Sequence, residues 1–433
     1  MKHTQIHLAI ALLVFGAASV KAAEPVDGTN PAPLPPSSSA VPNSAEVLPA
    51  NVFEAGGIPV AKTRSKNPLK VADGINVFAD VVGSFGYDSN VTTATKGQEV
   101  SSSVYNLRPT VVAEAKYRAD RYTLAYKGDY TRYPSFDANK LENNDLLFNG
   151  VNVFDTRASV AWGAAYMDRY DAIGSTDRSI GASKPDHHRD LAVNATFRYG
   201  ADDAKGRVEV DTGLSSKRYL NNHDSTEASD VDTTNVGARF YYRVAPKTRA
   251  FVEYRWTTYD YAHDTNFLEN TERRYLLGAT WDATAAVSGT IKAGQQRKDF
   301  FYDQLRPEYS GFTWEAALRW KPLTYTSFDL ISGRSASDPS GSTGIPIAKT
   351  VSLAWSHDWS SYVHSKLSAG YTNTRYNSDV RRDRESVYSI GMMYDLRRWL
   401  GVGLDYTFSH RNSNVDTYDY LRNLTMLRLE ASF

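Results

Sequence analysis

Alternation constrains this chain more than any other feature. From about residue 72 to residue 433, apolar and polar side chains take turns along one segment after another. INVFADVVGSFGY places Ile75, Val77, Ala79, Val81 and Phe85 on one face. YNLRPTVVAEAKY sets Tyr105, Leu107, Val111, Ala113, Ala115 and Tyr117 against Asn106, Arg108, Thr110, Glu114 and Lys116. FTWEAALRW sets Phe312, Trp314, Ala316, Leu318 and Trp320 against Thr313, Glu315, Ala317 and Arg319. A period of two is that of a β-strand with one apolar face. Such strands make a sandwich when the apolar face lines a core. They make a membrane barrel when it meets lipid and the polar face lines a wet lumen.

The connections separate these two folds. Eighteen segments begin near residues 75, 103, 121, 145, 157, 189, 206, 233, 248, 273, 286, 310, 324, 349, 362, 385, 399 and 420. Short links such as APK (245–247), KPL (321–323) and RR (397–398) alternate with long polar ones near 88–102, 170–188, 219–232, 334–348 and 374–384. Outer-membrane barrels sort their loops by parity in this way, and sandwiches do not. The expected fold is all-β: a closed transmembrane antiparallel β-barrel of about 18 strands over residues 72–433. Its long loops are expected to be extracellular and its short turns periplasmic. LTMLRLEASF (424–433) alternates too, and as the last strand it is expected to pair with the first near Ile75, removing both edges.

Composition agrees. Mean hydropathy is −0.47, low for a membrane protein, but a barrel dilutes its apolar residues with lumen-facing polar ones. The 28 Tyr, 17 Phe and 8 Trp suit strands and membrane interfaces. Trp162, Tyr166, Tyr254, Trp256, Trp281, Trp314, Trp320, Trp355 and Tyr371 lie on or near apolar faces, as interface girdles would. Equal numbers of basic and acidic residues, 49 each, argue against a nucleic-acid partner. There is no cysteine, so stability without disulfides is required.

The N-terminus indicates the compartment. Lys2, an apolar run from Leu8 to Val20, and Ala22–Ala23 fit a secretory signal peptide over residues 1–22. Residues 23–71 are rich in Pro and Ser and read as a periplasmic linker, with a barrel plug as the alternative. The expected location is the bacterial cell outer membrane, with outer-membrane lipid and lipopolysaccharide as neighbours.

Polar strand faces supply the candidate site residues. Arg108, Glu114, Lys116, Lys127, Asp129, Arg198, Glu209, Asp211, Arg239, Glu253, Arg255, Glu315 and Arg319 are expected to line the lumen, many of them paired. Tyr133 and Tyr241, with Tyr259, share that parity and could stack on sugar rings or pair with arginines. HRNSN (410–414) is similar to a hydrolase stretch, but His410 and Ser413 are three apart and point to opposite sides of a strand. DHH (186–188) and NNHDSTEASDVD (221–232) lack metal-ligand spacing and read as solvated loops. No catalytic group, metal or cofactor is expected.

Leu427, Leu429 and Phe433 resemble the C-terminal signal read by the barrel-assembly machinery. FGYDSNV (85–91), YNLRPTV (105–111) and YKGDYTRY (126–133) resemble the putative β-barrel porin type 2 group, with its aromatic-Asp-x-Asn loop entry, Leu-x-Pro strand and Gly-Asp-Tyr strand. The resemblance implies a channel that is not an enzyme, encoded near exopolysaccharide or capsule synthesis genes. Polysaccharide and periplasmic export components would then be its partners. The leading expectation is export of exopolysaccharide or capsular polysaccharide. A general diffusion porin is the first alternative. A structural or adhesive surface barrel with a closed lumen is the second.

Overall fold

The alternating segments form strands because each can satisfy its backbone only by pairing with the next. The computed structural model describes residues 68–433 apart from 176–182, 264, 285, 303, 307, 340–343, 378–379 and 433. The expected signal peptide, nearly all of the expected linker, and Phe433 lie outside the described residues. A short strand, β1 (Leu69–Ala72), comes first and pairs with Ile75–Val77, so the stretch read as linker ends in a strand. Eighteen strands follow. They are β2 (Ile75–Asp88), β3 (Ser102–Tyr117), β4 (Asp120–Arg132), β5 (Leu141–Val153), β6 (Ala158–Asp171), β7 (Asp186–Tyr199), β8 (Gly206–Tyr219), β9 (Val231–Ala245) and β10 (Thr248–Tyr261). They continue with β11 (Asn270–Thr284), β12 (Val287–Phe300), β13 (Tyr309–Leu323), β14 (Thr326–Ala336), β15 (Ile345–Asp358), β16 (Val363–Asn377), β17 (Arg382–Arg397), β18 (Leu400–Ser413) and β19 (Tyr420–Ser432).

Each strand is antiparallel to its successor, and β19 returns to β2 from Leu424↔Asp88 to Ser432↔Asp80. The ring is closed, so no edge is left to pair with another chain. One end carries turns such as 118–119, 246–247 and 398–399. The other carries long loops such as 89–101 and 220–230.

The faces are inverted relative to a water-soluble protein. Exposed on the outside are Leu124, Leu146, Leu191, Leu214, Val252, Leu277, Leu353 and Leu404. Buried on the inside are Glu209, Asp211, Arg239, Glu253, Lys292 and Lys298. Soluble folds bury the first set and expose the second. Lipid outside and polar groups inside reverse that preference.

The strands run further than the apolar pattern alone suggests. DHH (186–188), expected in a loop, opens β7, and the expected loop 374–384 shrinks to 378–381. At the long-loop end both faces are polar, so periodicity fades while the hydrogen-bond ladder continues. Outward-facing ion pairs mark this zone: Arg132–Glu142, Arg189–Asp168, Arg218–Asp232 and Arg297–Glu308. Among the described residues, every outward-facing ion pair is at this end. At the short-turn end the exposed aromatics Phe154, Tyr325, Trp359, Tyr362 and Trp399 reach the turns instead.

The three quoted motifs explain themselves as joinery. Asp88 is fully buried and accepts two bonds from Arg422 Nε on β19, each 3.0 Å. Asn90, also fully buried, donates to Ala94 O (2.8 Å) and Leu421 O (3.1 Å), so it ties the first long loop to the last strand. Gly86 lets the strands meet, because a Cβ there would lie 1.9 Å from Thr425 O. The aromatic-Asp-x-Asn stretch is therefore the seam that closes the cylinder. Pro109 and Gly128 are a second fit. Pro109 offers no N–H to the ladder, and a Cβ on Gly128 would lie 3.0 Å from its Cγ.

Gly86→Val should weaken the seam, since the obstacle is backbone and cannot rotate away. Overpacking of this kind costs about 1–3 kcal/mol. The folded, heat-modifiable fraction after refolding in detergent should fall well below that of the parent. An unchanged fraction would contradict the close approach of β2 and β19.

Candidate functional site: the lumen wall

The inward parity of β8 to β13 carries charges at regular steps, and cross-strand pairing brings them into one network. Arg239 donates to Asp211 Oδ1 (3.0 Å) and Glu209 Oε2 (3.3 Å). Arg255 Nη2 lies 3.1 Å from Glu253 Oε1. Lys292 Nζ joins Glu253 Oε2 (3.4 Å) to Glu315 Oε2 (3.1 Å). Arg274 continues from Glu315 (3.4 Å) to Glu272 (2.5 Å), and Lys298 links Glu272 (3.2 Å) to Asp338 (2.8 Å). Most members are under a tenth exposed. Charges so buried persist only when paired and hydrogen-bonded.

Asp338 belongs to the connection between β14 and β15. It reaches Lys298 on β12, Asn270 on β11 (3.0 Å) and Tyr261 on β10 (3.1 Å). Gln296 on β12 clamps the same region, bonding Ala336 O (2.8 Å) and Ala336 N (2.9 Å). The start of this connection therefore lies against the long-loop end of β10–β12.

The wall formed by β3 to β6 differs. Val112, Ala125, Leu147, Ala165 and Met167 form a buried apolar cluster on the inward parity of β3 to β6, with Phe78 and Ala192 against it. Charges flank it. Asp129 accepts from Asn106 (2.6 Å), Arg169 Nε donates to Asp145 (2.8 Å), and Asp145 is the cross-strand partner of Lys127. Elsewhere on the ring, Arg428 Nε on β19 lies 3.2 Å from Asp405 on β18, and Arg319 Nε on β13 lies 2.5 Å from Asp329 on β14.

Each expected site residue can now be placed. Glu209, Asp211, Arg239, Glu253, Arg255 and Glu315 meet in the network, and Arg198 joins through Glu209 (3.0 Å). Arg108, Glu114, Lys127, Asp129 and Arg319 are half-buried on the inward parity of their strands, apart from the network. Lys116 is exposed at the short-turn end of β3. Tyr133 lies just past β4, 3% exposed, and burial pushes its phenol up to about 12, with Arg422 opposing. Tyr241 is covered by Arg207 (4.5 Å from the ring centre) and Tyr259 by Lys298 (4.5 Å). These rings are engaged with cations, the alternative to sugar stacking that the sequence left open. Leu427 and Leu429 are half exposed on the outer face.

The hydrolase-like stretch does not assemble. His410 is exposed on the outer face of β18. Ser413 is buried on the inner face, where its Oγ accepts from Val415 N (3.1 Å). The DHH residues also separate. His187 bonds Asp168 (2.6 Å) outside, and His188 lies 3.1 Å from Asp190 inside. NNHDSTEASDVD includes one turn of helix, His223–Thr226, and a 3-10 turn, Glu227–Ser229.

Sequence reading missed Asp88 with Arg422, and Glu272, Lys298 and Asp338. A signal for the first pair was present in the quoted FGYDSNV. Asp338 carried none, because its partners lie two to four strands away.

No curated protein matches the chain in sequence. Among solved structures it is similar to the FrpB iron transporter (F3-3 variant) of Neisseria meningitidis, with 12% identity and TM-score 0.43 over 78% of this chain. The chain spans 62% of the length of that structure. It is similar to OccK2 (OpdF) of Pseudomonas aeruginosa in complex with glucuronate, with 9% identity and TM-score 0.47, covering 82% of this chain and 98% of that one. It is also similar to OccAB1 of Acinetobacter baumannii, with 10% identity and TM-score 0.46, covering 86% and 99%. At TM-scores below 0.5 these likenesses bear on neither substrate nor mechanism. The family model described as "Putative beta-barrel porin 2" matches residues 76–433, and the chain belongs to that family.

Proposed function

We propose that this protein is a channel in the bacterial outer membrane and that the solute it passes is exopolysaccharide or capsular polysaccharide leaving the cell. The observation that carries the channel reading is the closed ring of eighteen strands with an apolar exterior and a charged interior. A ring of that size is too wide for one layer of side chains to fill, as in porins. The polysaccharide reading rests on the family and on the three quoted motifs. In this reading the long-loop end faces the cell surface, where outward ion pairs such as Arg132–Glu142 meet lipopolysaccharide headgroups. The inner charges largely neutralise one another, which suits a bulky hydrophilic chain that must slide without being held.

Two measurements test it together. Purified protein in planar bilayers should give stepwise conductance. Deleting the gene should leave polysaccharide synthesis intact and reduce what reaches the cell surface. Conductance with normal surface polysaccharide would replace export with general diffusion. Absence of conductance with normal surface polysaccharide would favour a structural barrel.

A further inference from the structure

The neutral wall is interrupted at the short-turn end. Arg249 and Arg243 are direct cross-strand partners, and Arg207 lies on the neighbouring strand opposite Tyr241. Arg198, on β7, is the partner of Glu209. The residue parities put all four side chains on the inner face, and Arg207, Arg243 and Arg198 all lie near enough to Arg249 to repel it. Arg249 reaches past β9 to donate to Asp202 O in the turn 200–205. Its Nη1 is buried with no hydrogen-bond partner. Arg243 has no side-chain bond among the described residues.

The negative charge nearby is small. Glu209 Oε1 serves both Arg198 (3.0 Å) and Arg207 (3.3 Å), while its Oε2 is taken by Arg239 (3.3 Å). Asp211 is engaged by Arg239 (3.0 Å) and Arg255 (3.9 Å). Asp202 and Asp203 are both exposed in the turn, where water screens them, and Asp202 acts on Arg249. Four guanidinium groups thus converge where one buried carboxylate is already shared. Like charges held together repel, and an arriving anion relieves that repulsion. The planar fork of Arg binds a carboxylate through two parallel hydrogen bonds.

We infer that Arg198, Arg207, Arg243 and Arg249 form an anion-binding subsite at the short-turn mouth of the lumen, which captures carboxylate-bearing saccharide chains. This rests on the channel reading and gives it a substrate class: acidic, uronate-containing glycan entering from the periplasm. The subsite holds the chain at the mouth, and the self-neutralised wall beyond it lets the chain move on.

The test uses the full-length barrel and two probes of equal length, oligogalacturonate hexamer and maltohexaose. Added at the short-turn side in planar bilayers, the acidic probe should block current at a concentration at least tenfold lower than the neutral one. The double variant Arg243→Gln with Arg249→Gln should lose that tenfold preference and keep its response to maltohexaose. Arg218→Gln, on the outer face at the other end, should behave as the parent does. Calorimetric binding of the acidic probe to detergent-purified barrel, confirmed folded by heat-modifiability, needs no conductance. Binding that the double variant loses, without conductance, would uphold the subsite and remove the channel. Conductance with equal block by both probes, or an acidic-probe preference that survives in the double variant, would remove the subsite and leave the channel standing.

Discussion

Arg422→Ala should be among the most damaging single substitutions in the barrel. It would strand Asp88, which is fully buried, without the guanidinium that holds both of its oxygens. An uncompensated buried charge costs about 3–5 kcal/mol. The loss falls on the β2–β19 seam, the last pairing needed to close the ring. The temperature at which the folded band disappears on gels should drop sharply. Adding Asp88→Asn to the same chain removes the stranded charge, so the double variant should recover part of the loss. Coupling of that kind is expected for residues in direct contact. Arg132→Ala is the control. Its partner Glu142 is 38% exposed on its side chain, and surface pairs contribute about 0–1 kcal/mol. Equal losses for Arg422→Ala and Arg132→Ala would contradict the seam.

The second large effect separates the two faces of one strand. Ala316 and Ala317 are neighbours at the middle of β13. Ala316 shares the outer parity with Phe312, Trp314 and Trp320, and Ala317 shares the inner parity with Glu315 and Arg319. Ala316→Arg places a charge near the bilayer midplane, at about 2–4 kcal/mol. Ala317→Arg places it in the lumen, where Asp329 and Glu315 lie on flanking inward positions. Folding titrations into lipid vesicles should show a large loss for the first and little for the second. Similar losses would mean the register is shifted by one residue, which would reverse every side chain.

Much of this fold was legible in the sequence because a barrel states its geometry locally. Each strand carries its own alternation, and each connection its own length. The outward Leu107, Ala316 and Leu404 and the inward Arg239, Glu253 and Arg319 follow from parity alone. Legibility failed where parity lost its apolar partner. Asp186–His188 and Arg382–Glu385 are polar on both faces, so the ladder that includes them left no periodic trace. It failed again where contacts cross strands. Asp338 meets Lys298 across 40 residues, and Arg422 meets Asp88 across 334. The apolar cluster around Val112 and Leu147 was hidden for a related reason: an apolar residue on the inward parity looks like noise in a strand whose other inward residues are charged.

The chain contains no cysteine, so single Cys variants along β13 report on one position at a time. Glu315, Ala317 and Arg319, which are half-buried on the inward parity, each changed to Cys in barrel folded into lipid vesicles, should react with a small water-soluble maleimide. Cys at Phe312, Trp314, Ala316 and Leu318 should resist it, and a fluorophore placed there should be quenched by lipid-borne quenchers. A strict two-residue alternation across the membrane-spanning stretch is the result a closed barrel with a wet lumen predicts. Uniform reactivity, or uniform protection on both parities, would contradict it.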